Sequence, residues 1–476
     1  MPSREPVLKK FGGNVREKRE ARNLSQEALA EQADRCARRT NGWAGHNPRT
    51  DMRFLAFHKL GENRNSPRIW IESQSLNSLG FGPGVGFSVE SRTNGVRLRP
   101  ALLAENHVSR RLSAGQIRPI IDIANRCLLG PLTDFTEIKV EAVFNQIDVT
   151  PSTRAFYIRR RLHATSPFKT IEVFAGGGTL SAAIASSQDF HLVAGIEVEP
   201  KYADVWQQAH PNATLYQADV RCLHPSDLPP HDVLITSIPC TSHSTLGRAK
   251  KSLAGKPELG DTGDLYLSIC EFIAHRLPLA CLFENVPAFA TSLAGRSLGH
   301  HLRNLGYHIE ETILDPYNEW NEPQDRRRWV MVATFKPGFK LRTPGTRFSG
   351  TAADFLDAPD EHDLADAQRI AKSIESLRLH NQRHAELGHG FGFTLINRSS
   401  TKIPTLVRSY HKINIGPFVE TAYGPRLLRK HEAERIMGCA IDCAHYATAI
   451  EILGQGVQTR IFRKILAQFG SFLAGG

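Results

Sequence analysis

The chain has 476 residues, with 59 lysines and arginines against 48 aspartates and glutamates, a formal net charge of +11 and 41% hydrophobic residues. That length buries a sizeable core and points to more than one domain, and the basic balance favours polyanions through phosphate contacts and counterion release. No run is long and apolar enough to span a membrane, no N-terminal stretch reads as a signal peptide, and the eight cysteines (Cys36, Cys127, Cys222, Cys240, Cys270, Cys281, Cys439 and Cys443) show neither a disulfide framework nor a second ligand pair for zinc beside Cys439 and Cys443.

In chain order, Phe11 to Gln32 is patterned like the first half of a repressor-type helix-turn-helix, with Ser25 placed to cap the second helix and Ala28 and Leu29 facing inward. Where a recognition helix should follow, Gly42, Gly45 and Pro48 oppose one. Residues 1–62 are therefore expected to form a helix-turn-helix-like segment, either a DNA-reading module or a degenerate, purely structural one. Residues 63–166 alternate polar and apolar positions in short runs bounded by glycine turns: Ile69 to Ile71, Gly84 to Val89, Gly95 to Leu98, Ile117 to Asp122 and Ile138 to Val143. This pattern predicts a small β-rich domain without a catalytic signature.

From Phe168 the pattern changes. Thr170 to Val173 is a strand that enters the turn Phe174-Ala175-Gly176-Gly177-Gly178 and then a helix from Leu180 to Ala185. Glycines there let backbone approach a ligand, and the helix start offers free N–H groups. A second strand, Phe190 to Ile196, ends in Glu197, and a third, from Leu215, ends at Asp219. Glycine, acid and acid at successive strand ends describe an adenosine pocket. The turn lacks the Gly-x-Gly-x-x-Gly spacing that brings a pyrophosphate against a helix, which suits an adenosine without phosphates, such as that of S-adenosylmethionine.

Two further apolar runs, Asp232 to Cys240 and Leu277 to Phe283, read as buried parallel strands. Chemistry gathers at the carboxyl ends of such strands. Pro239-Cys240 ends the first, and Glu284-Asn285-Val286 follows the second. A cysteine at a strand end is, taken alone, more often packing than nucleophile. A thiol and a carboxylate at neighbouring strand ends nevertheless suit attack on an electron-poor ring: the thiolate adds, and the carboxyl group holds the proton the ring acquires.

Together these segments resemble the bacterial DNA (cytosine-5-)-methyltransferase family, from Phe168 to the C-terminus and in the family's order. Phe174, Gly176 and Gly178 resemble its cofactor loop, Glu197 its ribose acid, Asp219 its adenine-contacting acid, and Pro239-Cys240 with Glu284-Asn285-Val286 its catalytic pair. Pro323-Gln324-Asp325-Arg326-Arg327-Arg328 resembles the block beside the target nucleotide, Thr405-Leu406 the short recognition motif, Arg426 to Gly438 the block after it, and Gly454-Gln455-Gly456-Val457 the last motif. Thr179, Val198, Thr241-Ser242-His243-Ser244 and Gln455 depart from the usual residues.

The resemblance implies a doubly wound α/β core that uses S-adenosylmethionine, with an inserted target-recognition domain and an N-terminal extension. The catalytic domain spans 167–340 and 423–476 around a recognition region at 341–422, within which Ala352 to Leu379 is helical in pattern. It implies that Cys240, Glu284, Asn285, Arg326 and Arg328 carry catalysis. Phe174, Gly176, Gly178, Glu197, Asp219, Pro239, Gly454 and Val457 would hold the cofactor. Ser244, Arg248, Lys250, Gln324, Thr405 and Leu406 would meet duplex DNA around a flipped cytosine, with Thr241 to about Gly263 as the closing catalytic loop. No metal is implied. The expected setting is the bacterial cytoplasm, in functional partnership with a cognate restriction endonuclease. Two other classes stay open: a transfer-RNA cytosine methyltransferase of the same fold, and a non-enzymatic DNA-binding regulator.

Overall fold

The computed structural model describes residues 53–64, 66–113, 115–239, 261–386 and 393–475. The half helix-turn-helix, Cys240 with Ser244, Arg248 and Lys250, and the Gly388 to Gly392 stretch lie outside the described residues. The chain divides into two compact units, one ending at Ser152 and the other beginning at Thr153.

The first unit is made of antiparallel strands. One sheet runs in the order Phe54–Lys59, Glu137–Val143, Gln146–Pro151, Gly95–Pro100, Gly86–Arg92, Asn106–His107. The other runs Gly61–Asn63, Ser66–Glu72, Gln116–Ala124, Ser109–Ser113. Side chains alternate across each strand, so Ile69, Ile71, Ile121 and Ile123 of one sheet share a core with Leu98, Val140, Ile147 and Val149 of the other.

The second unit is built on seven strands: β1 (Phe168–Val173), β2 (Phe190–Glu197), β3 (Thr214–Gln217), β4 (Val233–Ser237), β5 (Ala280–Asn285), β6 (His308–Leu314) and β7 (Arg328–Thr334). Their order is β3-β2-β1-β4-β5-β7-β6, with β1 to β5 parallel and β7 antiparallel to both β5 and β6. The central strands are apolar on both faces because both faces are covered. Val233 and Ile235 of β4 join one core with Leu180 and Ile184 of α1 (Thr179–Ala185), and Leu234 joins the other. The chain continues through α2 (Pro200–Ala209), α3 (Leu265–Arg276) and α4 (Leu293–Asn304), the last two covering the second face with Ile269, Phe272, Leu298 and Leu302.

After β7 comes the insertion, whose long helix α5 spans His362–Glu386. The helical pattern from Ala352 resolves into a single turn, Ala352–Asp354, and then α5. Pro359 disfavours helix at the residue before it, and Asp360 accepts the backbone N–H of His362 at 2.9 Å to start α5 instead. The insertion shares a core with α6 (Lys430–Met437) and α7 (Tyr446–Gln455): Ile370, Ile374, Leu406, Tyr410 and Phe418 pack with Ile436, Met437, Ile450 and Leu453. Arg426, 2% exposed, is the polar knot there. Its guanidinium bonds Glu432 at 2.8 and 2.9 Å and Asp363 at 2.8 Å. Last, α8 (Thr459–Ala474) returns to the first face of the sheet, burying Ile461, Ile465, Leu466 and Phe469.

Candidate active site

The parallel order brings the carboxyl ends of β1 to β5 to one edge, and antiparallel β7 starts at that edge. Along it lie the glycine turn, Glu197, Asp219, Pro239, Glu284 and Arg328. At the end of β1, Phe174 (φ 60°), Gly176 (φ 56°) and Gly178 (φ 91°) are all left-handed. Glycine takes this conformation freely, whereas Phe174 is a non-glycine residue held in it, a kind of strain that clusters at ligand sites. The Gly176 N–H donates to Glu197 Oε2 at 2.8 Å, and the Glu199 N–H donates to Oε1 at 2.8 Å. Burial pushes the Glu197 carboxyl above its usual range, against these backbone donors. Asp219 caps the turn Val220–Cys222 and is gripped by Arg221, Nη2 to Oδ2 at 2.6 Å. That partner holds its carboxyl below the ordinary value. Val198, beside Glu197, is 59% exposed.

Register puts Ser237 of β4 beside Glu284 of β5. Arg328 Nε lies 2.9 Å from Glu284 Oε1, both side chains largely buried. Burial raises the Glu284 carboxyl, and Arg328, Arg326 and the Ser237 hydroxyl pull against it. The next residue, Asn285, donates from Nδ2 to the Ile238 carbonyl at 3.0 Å and accepts the Val286 N–H at 2.8 Å. It thus fixes the backbone two residues ahead of Cys240. Pro239 is half-buried at the end of the described part of that strand.

Arg326 is 1% exposed and serves as a brace. It donates to the carbonyls of Leu406 at 2.7 Å, Gly454 at 3.0 Å and Gly456 at 2.6 Å. Gly454 is there for close approach: a Cβ would lie 2.4 Å from the Val407 carbonyl carbon. Leu406 faces the core at 0% exposure, while Thr405 is half-buried and its hydroxyl donates to the Asp325 carbonyl. Of that pair, Thr405 is the one within reach of a surface ligand in this conformation. Gln324 is also fully buried, and its amide has no hydrogen-bond partner among the described residues. The Val457 N–H donates to Thr179 Oγ1 at 3.1 Å, and Thr459 Oγ1 donates to the Thr179 carbonyl at 3.0 Å. The threonine that departs from the usual glycine therefore ties the last motif to the first.

One group at this edge belongs to none of these motifs. Glu172, inside β1 and 1% exposed, receives the Ser181 hydroxyl, whose oxygen accepts Trp206 Nε1–H at 2.6 Å. Burial pushes its carboxyl up to about 8, against the Ser181 hydrogen bond. The signal in the sequence was a glutamate within an otherwise apolar strand, facing a serine nine residues on.

A family model described as C-5 cytosine-specific DNA methylase matches residues 168–466. The type II methyltransferase M.NlaX of Neisseria lactamica is 28% identical over 278 residues, 57% of this chain and 85% of that protein. The type II methyltransferase M.MspI of Moraxella sp is 24% identical over 351 residues, 69% of this chain and 78% of that protein. Among solved structures, the Dnmt2 methyltransferase of S. pombe superposes with a TM-score of 0.50 at 18% identity, covering 64% of this chain and 99% of its own. EhMeth of Entamoeba histolytica gives 0.51 at 15% identity, covering 65% and 99%. Both share the fold of the second unit's core.

Proposed function

The chain belongs to the C-5 cytosine-specific DNA methylase family and methylates cytosine in DNA at carbon 5, and from that premise we propose the route and the residues that carry it. The Cys240 thiolate adds to carbon 6 of a cytosine flipped out of the duplex, and the Glu284 carboxyl holds the proton at nitrogen 3. The ring electrons then reach carbon 5, which takes up the methyl group. A base removes the carbon 5 proton, and the sulfur–carbon 6 bond breaks to release Cys240. Asn285 positions the nucleophile's backbone, and Arg328 orients Glu284.

S-adenosylmethionine supplies the methyl group when bound, and the edge fits it. The left-handed turn at Phe174, Gly176 and Gly178 opens beside Glu197, whose carboxylate faces backbone donors at the turn. A second acid, Asp219, follows β3. Pro239, Gly454 and Val457 complete the set, the last two as the frame that Arg326 and Thr179 hold in place. On the DNA side, Thr405 is the described candidate within reach, with Leu406 behind it and Ser244, Arg248 and Lys250 on the catalytic loop; Gln324, fully buried in this conformation, would have to be uncovered to take part.

The type II names of the relatives support a place in a restriction-modification system, with a cognate endonuclease as functional partner and the cytoplasm as setting. No described helix is long and apolar enough to cross a membrane. The observation that carries the mechanism is the buried Glu284–Arg328 pair beside the strand that leads to Cys240. Methyl transfer by Glu284→Gln tests it. A drop of roughly 10²–10⁴-fold in kcat is expected for loss of a positioned acid, with cofactor affinity retained. Wild-type turnover by this variant would remove Glu284 from the chemistry.

A further inference from the structure

We propose that the antiparallel ribbon of Ser109–Ser113 and Gln116–Ala124, in the first unit, is a second, non-catalytic grip on duplex DNA. Arg110, Arg111 and Arg118 would meet phosphates, and Leu112 and Ile117 would lie against sugars in the groove. This rests on DNA being the substrate, which family membership supplies.

Residues 109–118 contain three arginines and no carboxylate. Arg111 stands directly opposite Arg118 in the ladder. Like charges in that relation destabilise a sheet, so the pairing calls for an anionic partner. Glu72 answers it weakly, 3.6 Å from Arg111 and 4.0 Å from Arg118, and leaves them 63% and 45% exposed. On the other face of the ribbon, Leu112 pairs with Ile117, the two being 73% and 49% exposed, with Arg110 next to Leu112 on that strand.

The strand Ser109–Ser113 is an edge of its sheet, and charged edges guard against edge-to-edge association. That role is filled by either sign of charge, and two exposed aliphatic side chains work against it. A two-stranded ribbon with cations on both faces and an apolar pair near its tip suits a DNA groove instead. The major groove admits such a ribbon, arginine suits phosphate geometry, and apolar side chains pack against the nucleic acid.

The test uses the full chain and a fluorescent mixed-sequence duplex, with affinity followed against salt concentration. Each phosphate contact contributes about −0.9 to the slope of log affinity against log salt. Arg111→Ala/Arg118→Ala should therefore flatten the slope by about two and weaken binding at least ~10-fold near physiological salt. Its kcat at saturating DNA should stay near wild type, and its thermal midpoint should hold or rise, since the like-charge pair is gone. Arg92→Ala/Arg99→Ala, which removes equal charge from the other sheet, should leave the slope as it was. An unchanged slope in a folded ribbon variant would overturn the proposal, and so would an equal loss in the control. A wild type that binds through these arginines yet transfers no methyl would instead count against the catalytic mechanism alone.

Discussion

Burial raises the Glu284 carboxyl above its ordinary value, while the Arg328 guanidinium at 2.9 Å pulls it back. The chemistry needs that carboxyl protonated and Cys240 ionised, so activity should rise with pH as the thiol ionises and fall as pH passes through the raised Glu284 value. Arg328→Ala removes the cation that opposes burial, raises the Glu284 value further and should move the falling limb to higher pH. A falling limb left in place, read from kcat against pH, would uncouple Arg328 from Glu284. Asn285→Ala should cost about 1–3 kcal/mol for the buried Ile238 carbonyl it leaves bare, together with a fall in kcat at unchanged cofactor affinity. At this scale the sequence was readable in position where an acid closes an apolar run, as with Glu197 and Glu284, which both lie at strand ends. It was less readable where a side chain serves backbone: Arg326 could be matched to a motif, but its three carbonyl partners come from residues 80 or more positions away. Thr179 looked like a departure because its partners, Val457 and Thr459, are equally remote.

Three segments meet at Arg326: the run into β7, the insertion at Leu406, and the end of α7 with the turn that follows it. Arg326→Met should strand buried carbonyls and destabilise the protein by roughly 3 kcal/mol. Gly454→Ala should act on the same joint, since its Cβ would press on the Val407 backbone at 2.4 Å. Weakened cofactor binding by both variants, measured calorimetrically, is the outcome that fits a shared frame. Undiminished affinity in either would mean that the turn holds its place without the brace. Elements were legible here through period and punctuation: the apolar runs Asp232 to Cys240 and Leu277 to Phe283 contain the strands Val233–Ser237 and Ala280–Asn285. The start of α5 was displaced because Pro359 interrupts a pattern that apolar spacing alone carries through from Ala352.

The whole catalytic unit stores an ionisable group in its centre. Glu172 titrates at about 8 in the fold against an ordinary 4.5, so between those values the folded protein binds a proton that the unfolded chain has released. The contribution of Glu172 to stability is therefore fullest at low pH and declines as pH rises through that window. Glu172→Gln should flatten the decline in thermal midpoint between pH 5 and 8. Identical slopes would show that Glu172 is already ionised. The pairing of Phe54–Lys59 with Glu137–Val143 across most of the first unit could not be read from local pattern, because alternation marks a strand without naming its neighbour. The doubly wound character of the second unit was more legible, since apolar runs punctuated by glycine or acid mark its parallel strands. The most direct test of the account is transfer of labelled methyl from S-adenosylmethionine to unmethylated duplex DNA by wild type and by Cys240→Ser. Label on carbon 5 of cytosine with wild type and none with the variant is the predicted result. Equal labelling by both, or label appearing in transfer RNA and not in DNA, would contradict it.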